Sequence, residues 1–225
     1  KRQVIGDPDN INWLTGYDAW SFYTPQMMLV DLHDGPFWMG RLMDAGAANF
    51  TTYLAASQIV PYPEELVQRP DKHPMSHLAG WMADHGFASA RIGYESDSYY
   101  FSPRALNCLR SGLPGAKFVD ADLLVNWQRL VKSEVEIEMM RGAARIAEAT
   151  MQCAFDGARP GVRQCDLMAE VLATQVRGTP QAGGDMAALH PLILAGEAAT
   201  TAHPMWTDAP LADGQTIAFE LGGCM

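Results

Sequence analysis

The sequence predicts an α/β domain over its first half and the first part of an α+β domain over its second half. Short apolar runs alternate with turn residues and short helical patterns up to about residue 125. Near residue 130 this pattern gives way to a long amphipathic helix that begins with a capping box. We therefore place two domains, at residues 1–128 and 129–225.

The elements of the first domain follow from apolar runs and the turn residues between them. Val4 and Ile5 end a strand, and residues 7–10 (Asp-Pro-Asp-Asn) have the composition of a turn. Apolar residues 27–32 and 36–39 flank an Asp-Gly pair and predict a hairpin. Further along, the patterns predict helices at residues 74–85 and 103–109, and strands at residues 90–95 and 117–120.

The second domain begins with a helix that Ser133 and Glu136 open as a capping box and that ends near Gly157. Its predicted inward face consists of Ile137, Met140, Ala144, Ala147, Met151 and Ala154. A second helix is predicted at residues 164–177, and its inward residues are Leu167, Met168, Val171 and Leu172. Strands are predicted around residues 193–194 and 216–219.

Composition and charge limit the classes of function. The 225 residues carry a formal net charge of −10, with 48% hydrophobic and 19% charged residues. Such a chain argues against a nucleic-acid partner, which requires clustered Lys and Arg, and fits a protein that handles a small molecule. No apolar run is long enough to span a membrane, and because residues 1–3 lead straight into the first strand we expect no signal peptide. The four cysteines are scattered, as is typical of reduced thiols, so we expect a cytoplasmic protein without a membrane partner.

The second half contains four short motifs in a recognisable order. These are Arg-Pro-Gly at residues 159–161, an Ala-His-Pro loop at 202–204, Asp-Gly at 213–214, and a strand ending in Phe-Glu-Leu-Gly-Gly at 219–223. This order resembles the first half of the pita-bread catalytic domain of the creatinase/aminopeptidase P superfamily. There, the loop supplies an active-site histidine and the strand delivers an acidic residue to the floor of the site. The resemblance therefore implies that His203 and Glu220 are catalytic.

The first half carries a resemblance of its own. Residues 10–17 (Asn-Ile-Asn-Trp-Leu-Thr-Gly-Tyr) resemble the strand–loop signature of the creatinase-type amino-terminal domain, and residues 18–26 and 93–102 are similar to segments of ectoine hydrolases. The resemblance covers nearly the whole chain. It implies a homodimer in which residues 18–26, which we call the aromatic loop, reach the active site of the partner subunit. It assigns substrate binding to Trp20, Phe22 and Tyr23, because an aromatic face stabilises a desolvated cation by about 2 kcal/mol.

One position departs from the superfamily pattern. Metal-dependent peptidases of this superfamily place an Asp ligand where Glu220 stands here. Glu is one methylene longer, and metal ligands are held to within about 0.2 Å. We therefore predict no metal and no other cofactor in this chain; the remaining ligand positions of the family would lie beyond Met225.

The resemblance implies a reaction that these residues can support. Ectoine is a cyclic amidinium with an attached carboxylate, and its ring opens by hydrolysis to N-acetyl-diaminobutyrate. His203 suits a proton shuttle, since a free imidazole has a pKa of about 6.5. Glu220 can pair with the amidinium, act as a base or attack as a nucleophile. The sequence leaves these three roles open, and also the choice between ectoine and hydroxyectoine.

Two alternative functions share the same fold. The first is a metal-dependent Xaa-Pro peptidase or prolidase, with Glu220 as an unusual first ligand. The second is a non-catalytic pita-bread binding module, against which the presence of His203 counts. Because Lys1 leads straight into a strand and Met225 closely follows one, we expect the chain to be part of a longer protein.

Overall fold

A computed structural model describes residues 2–19, 21–187 and 189–225. The chain divides into two compact units, Lys1–Leu130 and Val131–Met225. Among the described helices, none combines the length and apolar composition needed to cross a membrane.

The amino-terminal unit is built on a six-stranded mixed sheet in the order β4-β3-β2-β1-β5-β6. Its strands are β1 (Arg2–Ile5), β2 (Met27–Asp31), β3 (Gly35–Arg41), β4 (Ile59–Tyr62), β5 (Arg91–Tyr94) and β6 (Lys117–Asp120). Its helices are α1 (Pro8–Thr15), α2 (Ala45–Thr51), α3 (Pro74–Met82), α4 (Pro103–Gly112) and α5 (Leu124–Arg129). The β2–β3 pairing confirms the hairpin predicted around Asp34-Gly35.

The sheet is covered on both faces because successive strand residues point to opposite sides. On one face Val4, Leu29 and Ile92 pack into a cluster with the buried residues of α3 and α4. On the other, Ile5 and Trp38 pack with residues of α1 and α2. The burial of these apolar side chains is the main force that holds the helices to the sheet.

The first helix corrects the sequence prediction of a turn at residues 7–10. Asp7 is the N-cap of α1, and its Oδ1 accepts a hydrogen bond from Asn10 N at 3.0 Å. Pro8 occupies the first turn, where its missing N–H is no loss, and Gly16 ends the helix in the left-handed conformation. The same residue types favour turns and helix starts, which explains the error. The sequence analysis also missed α2, α5 and β4.

The carboxy-terminal unit contains two long helices and a strand pair. These are α6 (Glu134–Gly157), α7 (Gln164–Arg177), β7 (Leu192–Ala195) and β8 (Ile217–Glu220), with β7 and β8 antiparallel. The core joins both helices to the strands through Ala154, Leu167, Met168, Val171 and Ile193. Ser133 and Glu136 form the predicted capping box, and the inward face of α7 is confirmed.

The predicted inward face of α6 is confirmed only in part: Ala154 is buried and Ile137, Ala147 and Met151 are half-buried, but Met140 and Ala144 are exposed. The buried residues are Gly142, Ile146, Thr150 and Ala154, whereas Met140 is exposed. These buried residues are spaced by four, and the two at the ends of the row, Gly142 and Ala154, are small. A side chain at Gly142 would collide with Met225, and one at Gly223 would collide with the backbone of Ala143. Close approach of the last residues to the helix, rather than apolarity, therefore selects the buried face.

Candidate active site

Glu220 is the last residue of β8 and is held by its strand partner and by the segment that follows it. It lies opposite Leu192 in the β7–β8 register. Two residues later, the carbonyl oxygen of Gly222 accepts a hydrogen bond from Nε2 of the buried Gln175 at 2.7 Å. The backbone on both sides of Glu220 is therefore fixed.

The carboxylate of Glu220 has no recorded partner. Its neighbour Phe219 packs into the core with Ile193, so the alternation of the strand directs Glu220 to the opposite face. The residue is half-buried, and among the described residues no cation or hydrogen-bond donor is recorded for its carboxylate. A carboxylate in this situation is available to a cationic or proton-donating ligand.

His203 lies in a loop that is anchored at both ends. Before it, a short 3₁₀ helix (Gly196–Thr200) continues from β7, and Gly196 N donates to Thr216 O at 2.8 Å beside β8. After it, Leu211 N donates to Val162 O at 2.8 Å in the connection between α6 and α7. The loop that carries His203 is therefore attached to the strand pair before it and to the α6–α7 connection after it.

The backbone of His203 is strained and its side chain is exposed. Its φ is 65°, which lies in the left-handed region that few non-glycine residues adopt. Such conformations cost about 1–3 kcal/mol and concentrate at functional sites. No hydrogen bond to the imidazole is recorded within the described part of the chain.

The aromatic loop belongs to the amino-terminal unit. Trp20 lies outside the described residues, so its predicted binding role stays a prediction. Phe22 and Tyr23 are 73% and 46% exposed and make an edge-to-face contact with ring centroids 5.5 Å apart. Tyr23 OH accepts a hydrogen bond from Arg41 Nη1 at 2.8 Å. The two rings therefore face solvent instead of filling a core.

Phe22 and Tyr23 line a cavity of about 340 Å³ that the sequence analysis missed. Tyr99, Tyr100 and Arg104 also line it. The only sequence signal for it is the pair of adjacent tyrosines just before α4. Tyr99 is fully exposed and Tyr100 is 41% exposed, so neither ring is a core residue.

The described residues do not form a metal site. No group of three or more His, Cys, Asp or Glu side chains among them is placed to hold a metal ion. His203 and Glu220 lie in the carboxy-terminal unit without a third potential ligand grouped with them.

Comparison with known proteins agrees with this architecture. Residues 3–131 match the family described as the creatinase/prolidase N-terminal domain. The chain belongs to the creatinase/prolidase family. Residues 138–225 match metallopeptidase family M24, so this creatinase/prolidase chain combines an amino-terminal domain with part of an M24 domain. These matches confirm the predicted fold class.

Two curated relatives match this member of the creatinase/prolidase family over 98% of its length. The chain is 41% identical to ectoine hydrolase of Halomonas elongata over 226 residues. It is 42% identical to an uncharacterised hydrolase/peptidase of Sinorhizobium fredii over 223 residues. It covers 57% of each relative, so it spans about half of their length.

Solved structures show the same fold at low sequence identity. The prolidase from Pyrococcus furiosus matches with a TM-score of 0.75 and 17% identity, covering 99% of this chain and 62% of that one. The X-Pro aminopeptidase from Thermotoga maritima matches with a TM-score of 0.75 and 16% identity, covering 97% of this chain and 55% of that one. At these identities the likeness is one of fold alone.

Proposed function

We propose that the full-length protein is a metal-independent hydrolase that opens the ring of ectoine to N-acetyl-diaminobutyrate. The observation that carries this proposal is the 41% identity, over 98% of the chain, to a protein named ectoine hydrolase. The match covers 98% of the chain and therefore extends over both units.

Glu220 supplies the negative charge that this substrate requires. The half-buried carboxylate of Glu220 has no partner among the described residues, and a bound amidinium would supply a cation to pair with it. The amidinium carbon is already electrophilic because the ring is cationic. Water adds to that carbon, one ring C–N bond breaks, and a proton is delivered to the departing nitrogen. The product then carries an amide and a free amine.

His203 is the group proposed to move that proton. An exposed imidazole on an anchored but strained loop can take a proton from water and return it to the leaving nitrogen.

We further propose a cytoplasmic homodimer in which Phe22 and Tyr23 contribute an aromatic face to the substrate of a partner subunit. Sedimentation velocity of the full-length protein at micromolar concentration should then give a single dimeric species.

Ectoine turnover under metal control tests the proposal. We expect the purified full-length protein to convert ectoine to N-acetyl-diaminobutyrate, to contain no stoichiometric Zn, Mn or Co by elemental analysis, and to keep its rate after dialysis against a chelator. A preparation that loses ectoine turnover to the chelator and regains it with one metal would contradict metal independence. A preparation with no turnover of ectoine at all would remove the proposed substrate.

The match of residues 138–225 to metallopeptidase family M24 favours a second candidate, a metal-dependent Xaa-Pro peptidase. Such a peptidase would use Glu220 as one metal ligand, and most of its other ligands would have to lie outside this chain. Two metal ions per subunit together with cleavage of a Gly-Pro dipeptide would support it over ectoine hydrolysis.

A further inference from the structure

The cavity beside the aromatic loop has an unusual charge for this protein. The chain has 26 acidic and 16 basic residues, yet the described residues that line the cavity include Arg69, Lys72 and Arg104 and no Asp or Glu. Its volume, about 340 Å³, is at the lower end of the range of roughly 300–1,000 Å³ typical of small-molecule sites. A small pocket with this lining favours a small anion.

Arg104 is the cation most clearly committed to this cavity. Its Nη2 donates to the carbonyl oxygens of Arg69, Pro70 and Lys72 at 3.3, 2.9 and 3.1 Å. These bonds fix the guanidinium plane. No hydrogen bond from Nε or Nη1, and no carboxylate partner for Arg104, is recorded within the described residues. The fixed group therefore keeps N–H donors for a ligand.

The position of Arg104 in its helix points the same way. It lies in the first turn of α4, directly after Pro103, where the helix dipole disfavours a positive side chain. Ser102, the N-cap, also lines the cavity. A bound anion would relieve this repulsion.

The other two cations have acidic neighbours outside the cavity. Arg69 pairs with Asp71 at 3.1 Å and Lys72 lies 3.9 Å from Glu65, in both cases between exposed side chains. Exposed pairs of this kind are weak. His73 adds no charge, because burial, together with the nearby Arg104, lowers its pKa. Arg104 is thus the main anchor, with Lys72 in support.

We propose that this cavity is a carboxylate-binding subsite in which Arg104 holds the carboxylate of a small zwitterion against the rings of Phe22 and Tyr23. The identity of the ligand rests on the proposed function, since ectoine combines a carboxylate with a compact cationic ring. The planar fork of an arginine suits two parallel hydrogen bonds to a carboxylate. The exposed rings offer their faces to the remainder of the ligand.

Equilibrium binding to the full-length protein tests the subsite. The probes are acetate, its neutral isostere acetamide, and N-acetyl-diaminobutyrate, which carries the carboxylate without being a substrate. We expect Arg104→Gln to raise the Kd of both carboxylates by about 10- to 100-fold, as for the loss of a charge-assisted pair, and to leave acetamide unchanged. Arg110→Gln is the matched control, because Arg110 lies on α4 outside the cavity lining. It should stay within twofold of the parent.

Unchanged carboxylate affinity in Arg104→Gln would overturn the inference, as would equal affinity of the parent for acetate and acetamide. Because Arg104 also holds the loop at residues 69–72, thermal midpoints are compared. If Arg104→Gln lowers the thermal midpoint by several degrees, acetate binding is measured on Lys72→Gln instead. Weaker acetate binding by Lys72→Gln at an unchanged midpoint supports the subsite, and binding as tight as that of the parent refutes it.

Ectoine turnover, measured in parallel, separates this inference from the proposed function. Absence of turnover together with Arg104-dependent acetate binding removes ectoine as the substrate but leaves the subsite. Normal turnover together with carboxylate binding that does not depend on Arg104 removes the subsite but leaves ectoine as the substrate.

Discussion

Glu95 and Glu220 are two carboxylates at the ends of strands, and their surroundings are opposite. Glu95, directly after β5, is buried and accepts hydrogen bonds from Gly6 N at 2.9 Å, Asp7 N at 3.0 Å and Asn10 Nδ2 at 2.7 Å. Glu220, at the end of β8, is half-buried and has no recorded partner among the described residues. One carboxylate joins β1, α1 and β5; the other is open to a ligand.

This difference contrasts a structural carboxylate with one that we propose is functional. A buried carboxylate that is fully hydrogen-bonded contributes to the unique packing around it. Removing it alone destabilises the fold, because its buried hydrogen-bond donors are then left without an acceptor. A carboxylate without partners adds nothing to the folded state and can only gain when a ligand supplies a cation. Substitutions around Glu95 should therefore affect stability, whereas substitutions at Glu220 should affect turnover.

The largest effect is expected at Glu220. Glu220→Gln keeps size and hydrogen bonding and removes the charge, so ectoine turnover by the full-length protein should fall by at least ~10²-fold. The thermal midpoint should stay equal or rise, because an unpaired, partly buried charge has gone. Steady-state kinetics and thermal unfolding are measured on the same preparations. Near-parental turnover would refute the role, and a joint loss of activity and several degrees of stability would indicate a protein cation as partner.

The next effect is expected at His203. His203→Ala should lower ectoine turnover by about 10²-fold, the usual cost of losing a general acid or base. The thermal midpoint should not change, because the side chain is exposed. His190→Ala is the matched control, since His190 is also an exposed histidine of the carboxy-terminal unit. Activity within threefold of the parent in His203→Ala would exclude the residue from the mechanism.

The sequence predicted the strands and long helices well because their apolar patterns are local. It failed where a residue acts through a distant partner. Residues 10–17 carried the strand–loop resemblance, but Asn10 lies in α1 and binds Glu95, 85 positions away. The buried face of α6 is set by the approach of residues 223–225, which its own periodicity does not encode. Likewise, His203 and Glu220 came from motif order, whereas the Arg104 cavity joins segments that only the fold brings together.

The Glu95 network gives the third prediction. Asn10 Nδ2 also donates to Asn126 Oδ1 at 3.0 Å, and Asn10 Oδ1 accepts from Arg129 Nη1 at 2.7 Å. Asn10→Ala removes a donor from a buried carboxylate, so the free energy of unfolding should fall by about 2–3 kcal/mol in urea titrations. Asn107→Ala, at an exposed asparagine of α4, is the control and should stay within ~0.5 kcal/mol of the parent. A similar value for both variants would show that the network contributes little.

The smallest effect is a pH dependence of stability that originates at Glu95. Burial raises the pKa of Glu95 despite its hydrogen bonds from Asp7, Asn10 and Gly6. In the unfolded chain its proton leaves near the ordinary glutamate pKa of 4.5, at a lower pH than in the folded state. Between these two pKa values the folded state holds more protons, so this contribution to stability is complete below the unfolded pKa and is lost as pH rises through the folded pKa. Glu95→Gln should remove that descending part of the stability–pH profile, while Glu170→Gln, at an exposed glutamate of α7, should keep it. If the parent and Glu95→Gln profiles run parallel from pH 4 upward, Glu95 titrates alike in both states, and its hydrogen bonds then compensate fully for its burial.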